Sequence, residues 1–261
     1  MIVFEIVTPG TRLDYEDKDW AHRIQQLLSS LESQFFDANL ALNLFRDAQS
    51  TPPSFADLND WKRNSIRRSE IQRAVEQERG VMHSEDWDNI NFETELRLKR
   101  EKWANGGLPH TFEHNLPFIY ARAFLYALDT FEKFLGVLAK EVSVPSQIEV
   151  LHNQMLIDLP NLRAVRNSIQ HLEDRSRGLG AGRNPQPLNL QPIANNMISA
   201  PSGGVVFLNN LNGSKYTCTM ADGYCGEVDV SIKSMERLKT IFQGVLESFR
   251  WCGPKQHLPS A

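Results

Sequence analysis

LPFIYARAFLYALDTFEKFLGVLAKEV, residues 116–142, is the most apolar stretch of the chain and decides its fold. One face carries apolar residues at alternating steps of three and four: Ala121, Phe124, Leu128, Phe131, Leu135, Leu138 and Val142. A second apolar stripe comprises Leu116, Tyr120, Ala123, Ala127 and Phe134. A helix that is apolar on two faces packs at the centre of a helical bundle, so we expect this segment to be the central helix.

Further helices are predicted on both sides of this segment. A long amphipathic helix that ends before Thr51-Pro52-Pro53 is indicated by Trp20, Ile24, Leu27, Leu31, Ala38, Leu42 and Phe45. Two charged stretches, 56–79 and 85–103, have sparser apolar residues, which is typical of outer or partly exposed helices. A last bundle helix, 147–175, is interrupted or restarted near Pro160.

The composition changes after residue 175. Residues 175–204 are rich in Gly, Pro and Asn and predict a long loop. Asn212-Gly213 and Asp222-Gly223 then separate three alternating runs, 205–208, 216–220 and 227–231, which predicts a small antiparallel meander. A helix over 233–251 follows, and residues 2–7 are a candidate extra strand of the meander.

The predicted architecture is therefore mainly α, and α+β overall, in three parts. Residues 1–175 form a helical bundle, 176–202 a Gly/Pro/Asn-rich linker loop, and 203–261 a small β-meander with a C-terminal helix.

Composition and charge restrict the function classes. The 261 residues are 41% hydrophobic and 23% charged, which is ordinary for a globular protein. A net charge of −4 argues against a protein that is basic over its whole surface, so any contact with nucleic acid must be local. The sequence shows no transmembrane run, no signal peptide in residues 1–7 and no C-x-x-C pair among its three cysteines. We therefore expect a cytoplasmic protein with reduced thiols and no membrane partner.

The hexapeptide Arg166-Asn167-Ser168-Ile169-Gln170-His171 lies within the last predicted bundle helix. Arg can hold a phosphate, and His transfers protons near neutral pH, so the pair suggests phosphodiester chemistry. The spacing alone is a weak signal, because Arg250 and His257 also match it across a Gly253-Pro254 break. An ordinary solvated helix face is the alternative interpretation.

Helical geometry places the hexapeptide more closely. At about 100° per residue, one face carries Leu162, Val165, Ile169 and Leu172, and the opposite arc carries Arg163, Asn167, Gln170, His171 and Asp174. Arg166 lies on the border between the two. Arg166 and His171 are about 140° apart, so two copies of the helix facing each other would enclose a phosphate better than one.

The Arg166-Asn167-x3-His171 string on the last helix of a bundle resembles the HEPN superfamily (higher eukaryote and prokaryote nucleotide-binding domain), over roughly residues 15–175. The resemblance implies an up-and-down helical bundle. For many members it implies a metal-independent endoribonuclease of toxin–antitoxin or antiphage systems, with a composite active site across a homodimer. His171 would act as general acid/base, Arg166 would stabilise charge on the phosphate, and Asn167 would orient one of them.

The same resemblance implies RNA as substrate, no metal or cofactor, and an antitoxin or regulatory protein as a further partner. The family also contains non-catalytic members that bind nucleotides or proteins or only dimerise. A non-catalytic module of this kind is therefore the alternative to the enzyme.

Polar and basic residues near the motif are candidates for RNA contacts: Arg163, Gln170, Arg175, Arg177 and Arg183. Residues 175–221 contain no Asp or Glu, which favours an electrostatic contact, although a plain linker is the alternative. The run Arg63, Arg67, Arg68 and Arg73 is interleaved with glutamates and is more typical of a solvated face. His110, Glu113 and His114 have ligand-like spacing, but the neighbouring prolines favour a structural role, and no metal site is predicted.

Overall fold

The computed structural model describes residues 1–50, 58–82, 84–194 and 198–260, with no side chains described for 58–60. Its helices are α1 (Lys18–Ser50), α2 (Leu58–Arg79), α3 (Trp87–Ala104), α4 (His110–Leu138), α5 (Gln147–Asp158), α6 (Leu162–Gln170), α7 (Leu172–Ser176) and α8 (Ile232–Glu247). Its strands are β1 (Ile6–Thr8), β2 (Arg12–Leu13), β3 (Ile193–Ala194), β4 (Ser199–Ala200), β5 (Asn210–Asn212), β6 (Lys215–Thr219), β7 (Cys225–Asp229), β8 (Trp251–Cys252) and β9 (Gln256–Leu258). The prediction of a mainly helical protein with small antiparallel sheets is confirmed.

The chain divides into two compact units, each with its own core. Unit 1 comprises Met1–Arg46 and Pro117–Ala261, and unit 2 comprises Asp47–Leu116. The boundaries predicted near residues 175 and 203 lie inside unit 1. The reason is that the meander and the last helix pack on the bundle: α6 contacts β6 and β7, and α8 contacts α5.

Helix α4 supplies much of the unit 1 core, as its sequence predicts. Six of the seven residues of its main stripe, Ala121 to Leu138, are buried. Val142 is exposed because α4 ends at Leu138. On α1 the buried leucine of the third turn is Leu28, whereas the predicted Leu27 is only half-buried. The apolar periodicity therefore predicts the correct face of both helices.

The meander is present, with one strand shifted. The turn at Gly213-Ser214 sets Asn212 opposite Lys215, so the residues that pair with β6 are 210–212 rather than the predicted 205–208. Phe207 still adjoins the sheet, since its carbonyl accepts a hydrogen bond of 2.7 Å from Thr219 N. At Gly223, φ is +85° and a Cβ would lie 2.0 Å from the Asn189 carbonyl oxygen, so only glycine fits this turn.

The N-terminal segment does not join the meander, so that prediction is wrong. Strand β1 pairs antiparallel with β9, and β2 pairs with β8, so residues 6–13 are held by residues 251–258. Residues 2–4 are bound by side chains of α1 instead of a strand, because Asn43 Oδ1 accepts from Ile2 N at 2.6 Å and Asn39 Oδ1 accepts from Phe4 N at 3.0 Å. Gln243 of α8 bonds both backbone groups of Val7, which satisfies that edge of β1.

Unit 2 contains a helical hairpin of α2 and α3, with a small core of Ile71, Val75, Ile90 and Leu98. Among the described residues, ion pairs between the helices join Arg67 to Glu101, Arg68 to Glu95 and Arg97 to Glu78. The sparse apolar pattern of both helices correctly predicts their exposure. The predicted break at 51–53 and the predicted helical residues 56–57 lie outside the described residues. None of the described helices has the length and apolar character needed to span a membrane.

Candidate functional site

Helix α6 carries the hexapeptide on the face that the sequence predicts. Residues 159–161 interrupt the helical segment between α5 and α6, which confirms the predicted interruption near Pro160. Leu162, Val165 and Ile169 are buried in the unit 1 core, while Asn167 and Gln170 are exposed. Cys218 of β6 lies behind this helix, with its Sγ 3.8 Å from the Val165 carbonyl oxygen. The polar arc of α6 is therefore available to a ligand, and its reverse face is fixed by packing.

The helix ends immediately before His171, which differs from the predicted continuous helix. His171 has φ −123° and ψ 44°, caps α6 and precedes the short α7. Its side chain is 57% exposed, and Nδ1 lies 3.5 Å from Glu173 Oε1. The angle of 140° derived for a regular helix therefore does not describe where the imidazole points. The break leaves His171 on the surface at the end of the motif.

Arg166 is held inside the subunit by an acid on another helix, which the spacing of the hexapeptide does not predict. Its side chain is only 12% exposed, and Nε lies 2.9 Å from Oδ2 of Asp129, whose side chain is 3% exposed. The Nε–H direction does not satisfy hydrogen-bond geometry, so we describe this contact as an ion pair. Nη1 donates to Gln170 Oε1 at 2.6 Å. Lys133 Nζ also lies 2.7 Å from Asp129 Oδ2, so two cations share one buried carboxylate.

A second buried carboxylate repeats this arrangement one helical turn further along α4. Glu132 Oε2 accepts from Arg163 Nη2 at 2.9 Å, and Glu132 Oε1 lies 2.8 Å from His152 Nε2. Gly136 makes room for this imidazole, because a Cβ there would lie 3.1 Å from the His152 ring. Acids at positions i and i+3 of α4 thus meet arginines at positions i and i+3 of α6. The two acidic residues in the apolar part of this helix, Asp129 and Glu132, adjoin core residues Leu128 and Phe131 and are the sequence signal for this network.

The remaining predicted RNA contacts differ in their surroundings. Arg175 is buried, and its Nη1 donates to the carbonyl oxygens of Leu179 and Gly180, the latter at 2.7 Å. Its guanidinium holds the glycine-rich loop in place. Because the side chain is buried, it is not exposed to RNA, and the predicted RNA contact of Arg175 is wrong. Arg177 is exposed and paired with Asp174 at 2.6 Å. Arg183 is exposed in the loop.

His171, Glu173 and Asp174 form the one group of metal-type donors found among the described residues, with donor atoms within 4.8 Å of one another. One imidazole and two carboxylates suit a divalent transition metal. However, His171 and Glu173 are exposed, and Arg177 already neutralises Asp174. These contacts fit a solvated ionic cluster.

The cysteines offer no activated thiol near the motif. Cys218, Cys225 and Cys252 carry free thiols. Burial raises the pKa of Cys218 to about 12, so this side chain stays protonated near neutral pH and behaves as a small core residue. Burial also raises the pKa of Cys225.

The arrangement can therefore bind an anion and move a proton. Arg163, Arg166 and Lys133 bring cations to one edge of α6, and His171 supplies the titratable group at its end.

Comparison of the chain with protein-family models, with curated proteins and with solved structures returns no match.

Proposed function

We propose that the protein is a metal-independent endoribonuclease of HEPN type, acting in the cytoplasm as a toxin or in antiphage defence, with its active site composed across a homodimer. The observation that carries the proposal is the exposed edge of α6. There Asn167 and His171 face solvent beside Arg166, whose guanidinium is held in place by Asp129 and Gln170. A cation fixed in advance stabilises developing phosphate charge without reorganisation during the reaction.

The proposed reaction is an internal transesterification of RNA. His171 removes the proton of a ribose 2′-OH, the 2′-oxygen attacks the adjacent phosphorus, and the bond from phosphorus to the 5′-oxygen breaks. The leaving oxygen takes a proton from an imidazolium, which a second copy of His171 supplies in the dimer. The products are a 2′,3′-cyclic phosphate and a 5′-hydroxyl.

The contacts of the two motif residues suit these roles. Glu173 lies on the Nδ1 side of His171, which favours a proton on Nδ1 and leaves Nε2 to exchange one with substrate. Arg166 uses Nε and Nη1 in its contacts with Asp129 and Gln170. Because a guanidinium has five donors, it still has donors for a phosphate oxygen. Lys133 and Arg163, 49% and 64% exposed, lie at the same edge, where three cations face two buried carboxylates and leave a net positive charge.

The test is RNA cleavage by the full chain in the presence of EDTA. We expect wild type to cleave a labelled RNA and His171→Ala to be slower by a factor of about 10² or more. His257→Ala is the matched control, because His257 is equally exposed and also lies near a glutamate, with Nε2 3.4 Å from Glu5 Oε2. Mass spectrometry of the products should find cyclic phosphate ends. Absence of cleavage by wild type, or equal rates for both variants, would contradict the enzyme.

A non-catalytic HEPN-type binding or dimerisation module is the second candidate. The observation that favours it is the neutralisation of Arg166 by a buried acid within one subunit. A module of this kind predicts that Arg166→Ala and His171→Ala leave the cellular phenotype unchanged. Growth of cells that overexpress each variant separates the two candidates.

A further inference from the structure

Unit 2 has an open aromatic recess where α3 ends and α4 begins. Trp103, Gly107, Pro109, Thr111 and Phe112 line a recess of about 750 Å³. The side chains of Trp103 and Phe112 are 44% and 60% exposed. Gly107 N donates to the Lys102 carbonyl oxygen at 3.0 Å, which fixes the turn below the recess. Exposed aromatic surface of this kind marks a binding site more often than an isolated exposed residue does.

Cations flank this recess on the last two turns of α3. Lys99 and Arg100 precede Trp103 by four and three residues, so they are its neighbours on the helix surface. Lys99, Arg100 and Lys102 are all exposed, and within the described part of the chain none of them has an ion pair.

The nearest acid in sequence does not cancel this charge. Glu101 is already paired with Arg67 at 2.9 Å. The other arginines that face the hairpin interface, Arg68 and Arg97, are likewise neutralised by glutamates. Positive charge in this unit is therefore left unpaired beside the aromatic recess, although the whole chain has a net charge of −4.

We propose that the recess binds single-stranded RNA, with unpaired bases stacked on Trp103 and Phe112 and backbone phosphates against Lys99, Arg100 and Lys102. Aromatic platforms beside a cationic track are the combination that binds single strands without sequence preference, because every base has a π-face. The choice of RNA as ligand rests on the proposed nuclease function. An acidic protein segment is the alternative occupant, and the test below distinguishes it.

Binding is measured with full-length His171→Ala protein, so that cleavage does not interfere. The probe is a labelled oligouridine of about 15 nucleotides, close to the site size of one single-strand binding module, followed by fluorescence anisotropy. We expect Trp103→Ala to weaken binding by about tenfold or more, and Phe112→Ala to weaken it in the same direction. Phe92→Ala is the matched control, since Phe92 is 68% exposed on the same helix but does not line the recess.

Charge and ring chemistry are tested separately. Lys102→Gln should reduce the slope of log Kd against log salt by about 0.7, the value for one single-strand phosphate contact, while Arg73→Gln on α2 should leave it unchanged. Trp103→Phe keeps a ring and should keep most of the affinity, which separates stacking from a folding defect. Thermal melting of each variant checks that unit 2 remains folded.

Three results would overturn the proposal. The first is that the His171→Ala protein does not bind the oligouridine. The second is that the Trp103→Ala and Phe92→Ala proteins bind it with equal affinity. The third is that Trp103→Ala weakens binding of duplex RNA as much as it weakens binding of the single strand. The second result would leave the recess to a protein partner. If wild type cleaves no RNA but binding depends on Trp103, the nuclease proposal is refuted and the proposed RNA site in the recess is supported. If wild type cleaves RNA but Trp103→Ala leaves binding unchanged, the nuclease proposal is supported and the RNA site in the recess is refuted.

Discussion

Removal of the Asp129 carboxylate tests the internal ion pair most directly. Asp129→Asn keeps the size of the side chain and leaves Arg166, which is 12% exposed, without its counter-ion. Loss of one partner of a buried ion pair costs about 3–5 kcal/mol. We expect the lower end, about 3 kcal/mol, because Arg166 keeps its hydrogen bond to Gln170 and Lys133 can turn its charge to solvent. This loss corresponds to a fall in Tm of about 6–12 °C for a unit of this size.

The assay is a double-mutant cycle of Asp129→Asn and Arg166→Met, with free energies of unfolding from urea denaturation. We expect a coupling energy of about 2 kcal/mol between the two sites. Lys133→Met is the control, because Lys133 contacts the same carboxylate oxygen from an exposed position and should change stability by less than about 1 kcal/mol. A coupling energy below about 0.5 kcal/mol would refute the view that Asp129 holds Arg166 in place.

Three further predictions concern other parts of unit 1. Gly223→Ala should lower the free energy of unfolding by about 3 kcal/mol or more, since a Cβ collides with a carbonyl oxygen, whereas Gly213→Ala, with φ +60° and open space, should cost about 1 kcal/mol in urea denaturation. The pKa of Cys218 is raised to about 12, so the folded state keeps a proton that the unfolded chain loses. The free energy of unfolding should therefore fall as pH rises above about 9, by about 1.4 kcal/mol at pH ~10. Cys218→Ala should abolish this contribution. Arg175→Ala should lower the free energy of unfolding, measured by thermal denaturation, by about 3 kcal/mol because two carbonyl groups lose their donor. Arg177→Ala, at an exposed position, should change this free energy by less than about 0.5 kcal/mol.

The fold is predictable wherever one helix face decides burial. The stripes that contain Phe124 on α4 and Val165 on α6 follow from spacing alone, because period 3.6 fixes which residues share a face. Pairing of β1 with β9 is not predictable in this way. Each strand has three residues, and Ile6 meets Leu258 across almost the whole chain, so no local pattern specifies the register.

The candidate site is predictable only as far as its own helix. The polar arc with Asn167 and Gln170 follows from the sequence, but the acid that neutralises Arg166 lies on another helix 37 residues earlier. Arg175 is predicted to be an exposed RNA contact, but it is buried. A charged residue beside a polar loop is normally exposed, and its burial depends on two carbonyl groups whose positions only the folded loop determines.

The pairing of residues 6–13 with residues 251–258 also has a consequence for biosynthesis. Ribosomes add about 5–20 residues per second, so roughly 12 to 50 s separate the synthesis of β1 from that of its partner β9. Until β9 emerges, β1 has no strand to pair with, and Gln243, which bonds Val7, also arrives late. Unit 2 is contiguous in sequence and has a core of its own, so it can fold during this interval. We expect the nascent chain to carry a folded hairpin while the segment that contains the hexapeptide still waits for the last strands of its unit.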